Sequence, residues 1–299
     1  MERVRPPLAV IAGPTASGKS ALALEMAVRE NGVILNADAS QIYADLPILS
    51  AAPSPTEQAQ APHRLFGTID GAESCTAARW AALARAEIAA AHANGQLPIL
   101  VGGTGLYLRT LLDGIAPVPA IPPEVRAEVR ALSTEQARAA LEAEDAAMAS
   151  RLHPNDSQRN ARALEVIRAT GRSLADWQAS PPEGGLAAEV RLRPLVVEVP
   201  RDVLVQRIDA RVDAMWQAGA LEEVRRLAAR DLPPTLPVMR AIGVPPLLAL
   251  LRGEADLPES LERWRLETRQ YAKRQATWAR NQTGGWPRAF PQGQGGPHL

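Results

Sequence analysis

The segment Gly13–Ser20, with the sequence GPTASGKS, constrains the fold of this chain more than any other feature. It matches the pattern G-x-x-x-x-G-K-[ST] at every fixed position. An apolar run, LAVIA, precedes it, and a helix-forming stretch, ALALEM, follows it. Between a strand and a helix, such glycines let successive backbone N–H groups surround phosphate oxygens, and the helix N-terminus favours the anion. The segment therefore predicts a phosphate-binding loop, with Lys19 as a positive charge and Ser20 as a ligand of Mg²⁺.

Three more apolar runs have the composition of buried parallel strands. They are GVILNAD from Gly32, LPILVGG from Leu97 and PLVVEVP from Pro194. Helical, alanine-rich stretches separate the first three strands, which predicts right-handed crossover connections and helices on both faces of the sheet. The expected fold class is α/β, a P-loop NTPase-like parallel sheet flanked by helices, with a smaller all-helical inserted domain.

The inserted domain is indicated by a change in composition. A proline-rich segment, DGIAPVPAIPPEV, leaves the core, and ASPPEGGLAAEV returns to it, with helical periodicity between them. We expect a first core part over residues 1–117, a helical insertion over 118–188, and completion of the core over 189–299. After the fourth strand, helices should continue to about residue 281, and residues 282–299 should form a frayed tail.

Composition excludes several classes of protein. Lysine plus arginine equals aspartate plus glutamate at 33 each, so any nucleic-acid surface must come from local clustering of charge. Cys75 is the only cysteine, which excludes an internal disulfide and a thiolate zinc cluster. Neither clustered histidines nor a Gly-x-Ser-x-Gly elbow is present, so zinc and serine-hydrolase chemistry are not expected. No signal peptide or membrane span is apparent, and we expect a soluble cytoplasmic protein.

Polar residues follow two of the predicted strands. NADASQIY places Asp38 after the second strand, and VGGTGLY places Thr104 after the third. Ligands of open parallel sheets bind beyond the carboxyl ends of the strands, so both side chains should lie near the phosphate loop. Asp38 is compatible with a helix N-cap and with a general base. Thr104 could cap its helix, but the three glycines around it favour close approach by a ligand or another backbone.

Two segments carry clustered positive charge. In the first, RLHPNDSQRNARALEVIRATG, Asn155 or Asp156 should cap a helix that ends at Gly171. Arg159 and Arg162 lie on one face of this helix, which is compatible with a solvated face and with RNA contact.

The second basic segment, RWRLETRQYAKRQATWAR, has aromatic residues at Trp264, Tyr271 and Trp278, seven residues apart. This spacing favours a buried stripe over a base-stacking platform. The remaining face is basic, which suits contact with phosphodiesters.

In their order along the chain, these motifs resemble the tRNA dimethylallyltransferase family, also called tRNA isopentenyltransferases. The resemblance runs through GPTASGKS, DASQIY, LVGGTGLYLRTLLDG, PPEVR, LHPNDSQRNARALEV, RIDARVDAMWQAGALEEV, RAIG and YAKRQATWAR. It implies transfer of a dimethylallyl group from dimethylallyl diphosphate to N6 of the adenosine directly 3′ of the anticodon. The phosphate loop would then hold a diphosphate leaving group with Mg²⁺, and the adenosine would be flipped out of the loop of tRNA.

The resemblance also implies roles for individual residues. The implied catalytic residues are Asp38, Thr104 and Lys19. The implied diphosphate site consists of Gly13, Pro14, Thr15, Ala16, Ser17, Gly18, Lys19, Ser20 and Arg211. The implied contacts with tRNA are Asp38, Ala39, Ser40, Gln41, Thr104, Arg126, Gln158, Arg159, Asn160, Ala161, Arg162, Arg240 and Gly243. The implied partners are the anticodon stem-loop of tRNA and dimethylallyl diphosphate, bound by a monomer.

The sequence departs from the family pattern at three places. Ala39 replaces a usual serine, Ala52 replaces a lysine, and Val244 replaces an aromatic residue. Two other functions remain open from the residues alone: a small-metabolite kinase that uses the same loop, and an RNA-binding protein with a vestigial loop. The two basic segments favour an RNA substrate over a small metabolite, and intact Lys19, Ser20 and Asp38 favour an enzyme.

Overall fold

A six-stranded, fully parallel sheet forms the centre of the computed structural model, which describes residues 5–290. The strands are β1 (Pro7–Ala12), β2 (Gly32–Asn36), β3 (His63–Arg64), β4 (Leu97–Gly102), β5 (Arg191–Val197) and β6 (Arg288–Ala289). Their order in the sheet is β3-β2-β4-β1-β5-β6, and every adjacent pair is parallel.

The four strands with long apolar runs agree with the sequence prediction, whereas the two edge strands were not predicted. β3 and β6 have only two residues each, which is too short for a periodic signal. β6 also corrects the prediction of a frayed tail, because Arg288 and Ala289 pair with β5. The rest of the predicted tail, residues 291–299, lies outside the described residues.

Helices account for most of the remaining chain. In the first compact unit, residues 1–112 and 186–299, they are α1 (Lys19–Arg29), α2 (Pro55–Gln60), α3 (Ala77–Ala93), α4 (Gly105–Leu112), α10 (Arg201–Gln217), α11 (Ala220–Ala228), α12 (Val244–Leu251) and α13 (Leu257–Gln282), with a 3₁₀ turn at Pro237–Arg240. None of the helices within residues 5–290 is both long and apolar enough to cross a membrane.

Alternate residues of the strands enter two hydrophobic clusters on opposite faces of the sheet. Ala9 and Ile11 of β1 belong to one cluster, and Leu8 and Val10 belong to the other. Helix α1 covers the first face, and helix α3 covers the second with the fully buried Trp80. Burial on both faces explains why the strand sequences are continuously apolar.

The second compact unit spans Asp113–Gly185, whereas the sequence indicated an insertion over 118–188. Its helices are α5 (Pro123–Ala131), α6 (Thr134–Glu144), α7 (Ala146–Ala149), α8 (Ser157–Thr170) and α9 (Leu174–Ala179). Its core includes Leu141, Met148 and Leu164. As expected, Asp156 caps α8, since its side chain accepts a hydrogen bond from the Arg159 amide, and Gly171 ends that helix in a left-handed conformation.

Candidate active site at the carboxyl edge of the sheet

The predicted phosphate loop, residues 13–20, connects β1 to α1 at the carboxyl edge of the sheet. Gly18 has a φ of 92° directly before α1, a conformation that glycine adopts without a steric cost. Ala16 also has a positive φ, 60°, which is unfavourable for a residue with a Cβ atom and is tolerated mainly at functional sites. The Lys19 Nζ atom donates a hydrogen bond of 3.2 Å to the Pro14 carbonyl oxygen, which closes the loop around its own lysine.

Two positively charged side chains at this loop are held away from water. Burial lowers the pKa of Lys19 from 10.5 to about 8, although the nearby Asp38 opposes the shift. Burial also lowers the pKa of Arg211, and Asp38 again acts in the opposite direction. The Arg211 guanidinium donates to the hydroxyl of Thr15 at 3.4 Å. A bound anion would offset the free-energy cost of burying both positive charges, so the loop is electrostatically suited to phosphate groups.

Asp38 follows β2 and is fixed by its neighbours. The Asn36 side chain accepts a hydrogen bond from the Asp38 amide at 2.7 Å and donates to the Asp38 carbonyl oxygen at 2.9 Å. The Asp38 Oδ1 atom accepts from the amide of Ser40 at 2.9 Å and from its hydroxyl at 2.6 Å. No helix begins here within the described chain, so the N-cap alternative is wrong. Within residues 5–290, Oδ2 makes no hydrogen bond, which leaves it available to a ligand.

Thr104 follows β4 and contacts the segment that carries Asp38. Its hydroxyl oxygen accepts a hydrogen bond of 2.9 Å from the amide of Ala39, and its own amide donates to the Ala37 carbonyl oxygen at 3.2 Å. The hydroxyl is thus used to join the ends of β2 and β4. The structure places Thr104 against the residues on either side of Asp38, at the carboxyl ends of the parallel strands, as the sequence predicted.

Lys19, Asp38 and Arg211 line one cavity of about 340 Å³. Arg240 and Arg274 add two more positive charges to its wall, so cations outnumber carboxylates among the described lining residues. The remaining wall is largely apolar. The apolar and aromatic lining residues are Ala39, Tyr43, Leu46, Leu49, Ile208, Val212, Met215, Pro237, Ala241, Ile242, Trp264 and Tyr271. Such a cavity suits a ligand with an anionic group and an uncharged remainder.

Helix α13 forms a wall of this cavity with the aromatic stripe that the sequence indicated. Trp264 is buried and Tyr271 lines the cavity, so the stripe faces the protein interior. The basic face of the helix is partly neutralised. Arg269 pairs with Asp209 at 2.7 Å, and Arg263 pairs with Glu267 at 3.0 Å.

Glycines at the end of β4 allow helix α13 and the backbone at Ala37 to pack closely against the carboxyl edge of the sheet. A Cβ atom on Gly103 would lie 2.1 Å from the Gln275 side chain, and one on Gly105 would lie 2.2 Å from the Trp278 ring. A Cβ atom on Gly102 would lie 2.1 Å from the Ala37 carbonyl oxygen. Gly102 at the end of β4 therefore makes room for the backbone at Ala37, and Gly103 and Gly105 make room for side chains of α13.

Glu223, which the sequence reasoning did not identify, fixes another part of the cavity wall. This side chain is buried, and its two carboxylate oxygens accept hydrogen bonds from the amides of Ile48 at 2.7 Å and Leu49 at 2.8 Å. Burial raises the pKa of Glu223, and these two amides oppose the shift. Its position in the sequence could have indicated burial, since Glu223 occurs at helical spacing from apolar residues. Ala220 and Val224 are buried on the same face of α11.

The residues predicted to contact tRNA differ in exposure. Gln158 and Arg159 are exposed on α8, and Arg126 and Arg162 are half-buried. Asn160 is fully buried, and its amide donates to the carbonyl oxygens of His153 at 3.1 Å and Pro154 at 2.9 Å. Its side chain thus supports the turn before α8 in the ligand-free chain, and its contact with RNA stays a prediction.

The remaining residues predicted to contact tRNA are distributed between the cavity and the helical unit. Arg240 is exposed beside the cavity, whereas Gly243 is buried with a φ of 92°. A Cβ atom on Gly243 would lie 2.5 Å from Leu49 and 2.8 Å from Trp264. Ala39, Ser40 and Gln41 line the cavity directly, whereas half-buried Ala161 belongs to the core of the helical unit.

This chain is similar in sequence to a known family and to proteins of two bacteria. The IPP transferase family matches residues 41–282. A tRNA dimethylallyltransferase of Sphingopyxis alaskensis is 58% identical over 94% of this chain and 92% of its own length. The corresponding protein of Zymomonas mobilis is 54% identical over 93% of this chain and 88% of its own length.

Solved structures with the same fold carry related names. The tRNA isopentenylpyrophosphate transferase of Bacillus halodurans is 31% identical, with a TM-score of 0.68 over 96% of this chain and 90% of that protein. A eukaryotic dimethylallyltransferase acting on tRNA is 28% identical, with a TM-score of 0.81 over 95% of this chain and 74% of that protein. This chain therefore belongs to the IPP transferase family, the family of the tRNA dimethylallyltransferases.

Proposed function

We propose that this protein transfers a dimethylallyl group from dimethylallyl diphosphate to N6 of the adenosine directly 3′ of the anticodon in tRNA. The observation that carries the proposal is the shared cavity, in which Lys19 and Arg211 lie close enough to Asp38 to influence one another electrostatically. Cations at one end and a carboxylate beside them are what alkylation of an amine by a diphosphate ester needs. The names of the relatives support the same reaction.

Lys19, Arg211 and the amides of the phosphate loop act on the donor. The bond between the allylic carbon and the diphosphate oxygen breaks, and its electron pair leaves with the diphosphate. Negative charge therefore increases on the leaving group in the transition state. Preformed cations and N–H groups in a partly dry site stabilise that charge more than water would, since they need no reorganisation.

Asp38 acts on the acceptor. The N6 lone pair of adenosine is delocalised into the purine ring, so the amine is a weak nucleophile. The free Oδ2 atom of Asp38 accepts a hydrogen bond from the amine and takes its proton as the new carbon–nitrogen bond forms. The hydrogen bonds to Ser40, and that between Thr104 and Ala39, keep this carboxylate in place.

The donor set of the cavity fits Mg²⁺. Within residues 5–290 no group of three or more histidine, cysteine or acidic side chains could hold a metal by itself. Mg²⁺ commonly keeps several waters and binds through few protein oxygens together with substrate phosphates. The exposed Ser20 hydroxyl, at the start of α1, would supply one such oxygen in the cavity that contains Asp38. Bound Mg²⁺ would neutralise charge on the diphosphate.

The tRNA acceptor requires a surface for its backbone and an extruded base. A purine inside a folded anticodon loop exposes N6 to the cavity only when it is flipped out. Arg126, Gln158, Arg159 and Arg162 of the helical unit, together with Arg240, supply candidate RNA contacts. We propose that the protein acts as a monomer in the cytoplasm.

Transfer from labelled donor tests this function. Purified protein is incubated with radiolabelled dimethylallyl diphosphate, Mg²⁺ and unmodified tRNA, and the tRNA is then digested to nucleosides. The expected product is labelled N6-(dimethylallyl)adenosine, absent when the target adenosine is replaced by guanosine. Turnover of ATP with a small acceptor, without label in tRNA, would instead favour a metabolite kinase.

A further inference from the structure

The Gln275 side chain joins α13 to the phosphate loop. Its Oε1 atom accepts a hydrogen bond of 2.8 Å from the backbone amide of Thr15, 260 residues earlier in the chain. Only 5% of Gln275 is exposed. The Arg211 guanidinium contacts the hydroxyl of the same threonine. Two side chains that are distant in the sequence, Gln275 and Arg211, therefore contact Thr15 of the phosphate loop.

The other end of the Gln275 amide has no partner. Its Nε2 atom is buried and makes no hydrogen bond to any residue within 5–290. It lies against Gly103, where a Cβ atom would come within 2.1 Å of Nε2 and 2.8 Å of the Gly13 carbonyl oxygen. The Gln275 side chain thus fills the space between the phosphate loop and the end of β4.

An unpartnered buried N–H group costs free energy of folding. Methionine, an apolar side chain of similar size, would remove this N–H group but would also leave the Thr15 amide without its acceptor. The atom of Gln275 that acts on the phosphate loop is Oε1, which accepts the hydrogen bond from the Thr15 amide. The Tyr271 hydroxyl, one turn earlier on α13, is close to Gln275 and Thr104, and both lower the pKa of this phenol although burial raises it more strongly.

We propose that Gln275 is a positioning residue that holds the phosphate loop in the shape that binds the diphosphate of the donor. The inference rests on the proposed function, since it concerns the same loop. It adds that the affinity for diphosphate depends on a residue of α13 that does not line the cavity. Without Gln275, the Thr15 amide turns to water and the loop samples other conformations, so binding must order the loop at its own cost.

The test compares Gln275→Met with Gln270→Met, a matched change at an exposed position of the same helix. Binding of inorganic diphosphate with Mg²⁺ is measured by calorimetry, thermal stability by unfolding, and transfer kinetics with labelled donor. For Gln275→Met we expect about tenfold weaker diphosphate binding, as for removal of one hydrogen bond. The KM for dimethylallyl diphosphate should rise, whereas the melting temperature and tRNA affinity should match the unsubstituted protein. Gln270→Met should change none of these values.

Unchanged diphosphate affinity in a folded Gln275→Met variant would overturn the inference. A fall in melting temperature with parallel decreases in diphosphate and tRNA binding would also overturn it, because Gln275 would then be only structural. Hydrogen exchange adds a readout that needs no variant: the Thr15 amide of the ligand-free protein should exchange slowly, and rapid exchange would contradict the hydrogen bond. If the unsubstituted protein neither binds diphosphate nor transfers label to tRNA, the proposed function is wrong, and this outcome is distinct from a failure of the Gln275→Met prediction.

Discussion

The Thr104 hydroxyl accepts a hydrogen bond of 2.9 Å from the amide of Ala39, the residue directly after Asp38. This contact ties the end of β4 to the end of β2 beside the phosphate loop. Together with the bonds from Ser40 and Asn36, it fixes the Asp38 carboxylate before any substrate binds. Preorganisation of this kind saves the cost of orienting the base during the reaction.

Asp38→Asn should strongly slow prenyl transfer while tRNA binding is retained. The amide is nearly isosteric with the carboxylate but has no useful basicity, so it cannot remove the proton from N6. We expect a decrease of roughly 10²–10⁴-fold in single-turnover rate, the usual contribution of a general base. Thr104→Val, which removes only a positioning contact, should cost less. Near-normal turnover of Asp38→Asn would exclude Asp38 from the mechanism.

Lys19→Met should weaken diphosphate binding and stabilise the ligand-free protein. Burial lowers the pKa of Lys19 from 10.5 to about 8, so holding it charged at neutral pH costs folding free energy on the order of 3 kcal/mol. Methionine removes that cost. Lys273→Met replaces the other lysine of the sequence, which is exposed, and should leave melting temperature and diphosphate affinity unchanged. A lower melting temperature for Lys19→Met would contradict the burial argument.

The same lysine predicts two dependences on pH. Between about pH 8 and 10.5 the unfolded state binds more protons at Lys19 than the folded state, so this residue makes stability increase with pH in that window. Over the same window Lys19 loses its charge, so diphosphate affinity should fall as the pH rises above about 8. Calorimetric titrations at several pH values measure the second effect, and the part due to Lys19 should be absent from Lys19→Met.

Glu223→Gln should loosen the cavity wall. A carboxylate accepts hydrogen bonds from both the Ile48 and the Leu49 amides, whereas a carboxamide has one oxygen and turns an N–H group toward the other amide. We expect a decrease of about 1–3 kcal/mol in unfolding free energy and a higher KM for the donor. Glu222→Gln is the matched control, because Glu222 is exposed and pairs with Arg225. Equal effects of the two changes would contradict the assigned role of Glu223.

Replacing Arg159 and Arg162 with glutamine should reduce the salt dependence of tRNA binding. Arg159 lies 3.4 Å from Asp156 and Arg162 lies 3.4 Å from Glu165, whereas Arg168 lies 2.6 Å from Glu144, so the first two arginines are held less closely by their carboxylates. For each arginine that binds a phosphate, its replacement should reduce the slope of log K against log salt by about 1. Arg168→Gln on the same helix is the control, since Arg168 pairs closely with Glu144. An unaffected slope in the double variant would show that α8 does not hold RNA.

The sequence predicts the centre of the fold well because burial on both faces leaves uninterrupted apolar runs. The four long strands and the placement of Asp38 and Thr104 at their carboxyl ends follow from that signal. β3 and β6 escape prediction because two-residue strands depend on the neighbouring strand more than on their own sequence.

The contacts that position the site are harder to predict because they join distant parts of the chain. Gln275 reaches Thr15 across 260 residues, and Glu223 reaches Leu49 across 174. A glutamine on a basic, aromatic helix gives no sign of which amide it will bind. Glu223 at least occurs at an apolar position of α11, which marks a buried carboxylate that needs partners.

The ratio of released diphosphate to prenylated adenosine distinguishes a leaving diphosphate from a phosphoryl donor. The protein is incubated with dimethylallyl diphosphate and tRNA without any nucleoside triphosphate, and released diphosphate and prenylated adenosine are quantified together. We expect one diphosphate for each N6-(dimethylallyl)adenosine formed, and much slower formation of both products, in the same ratio, by Lys19→Met and Asp38→Asn. Formation of the modified base only when ATP is hydrolysed, or phosphate transfer to an acceptor, would contradict a leaving diphosphate held by residues 13–20.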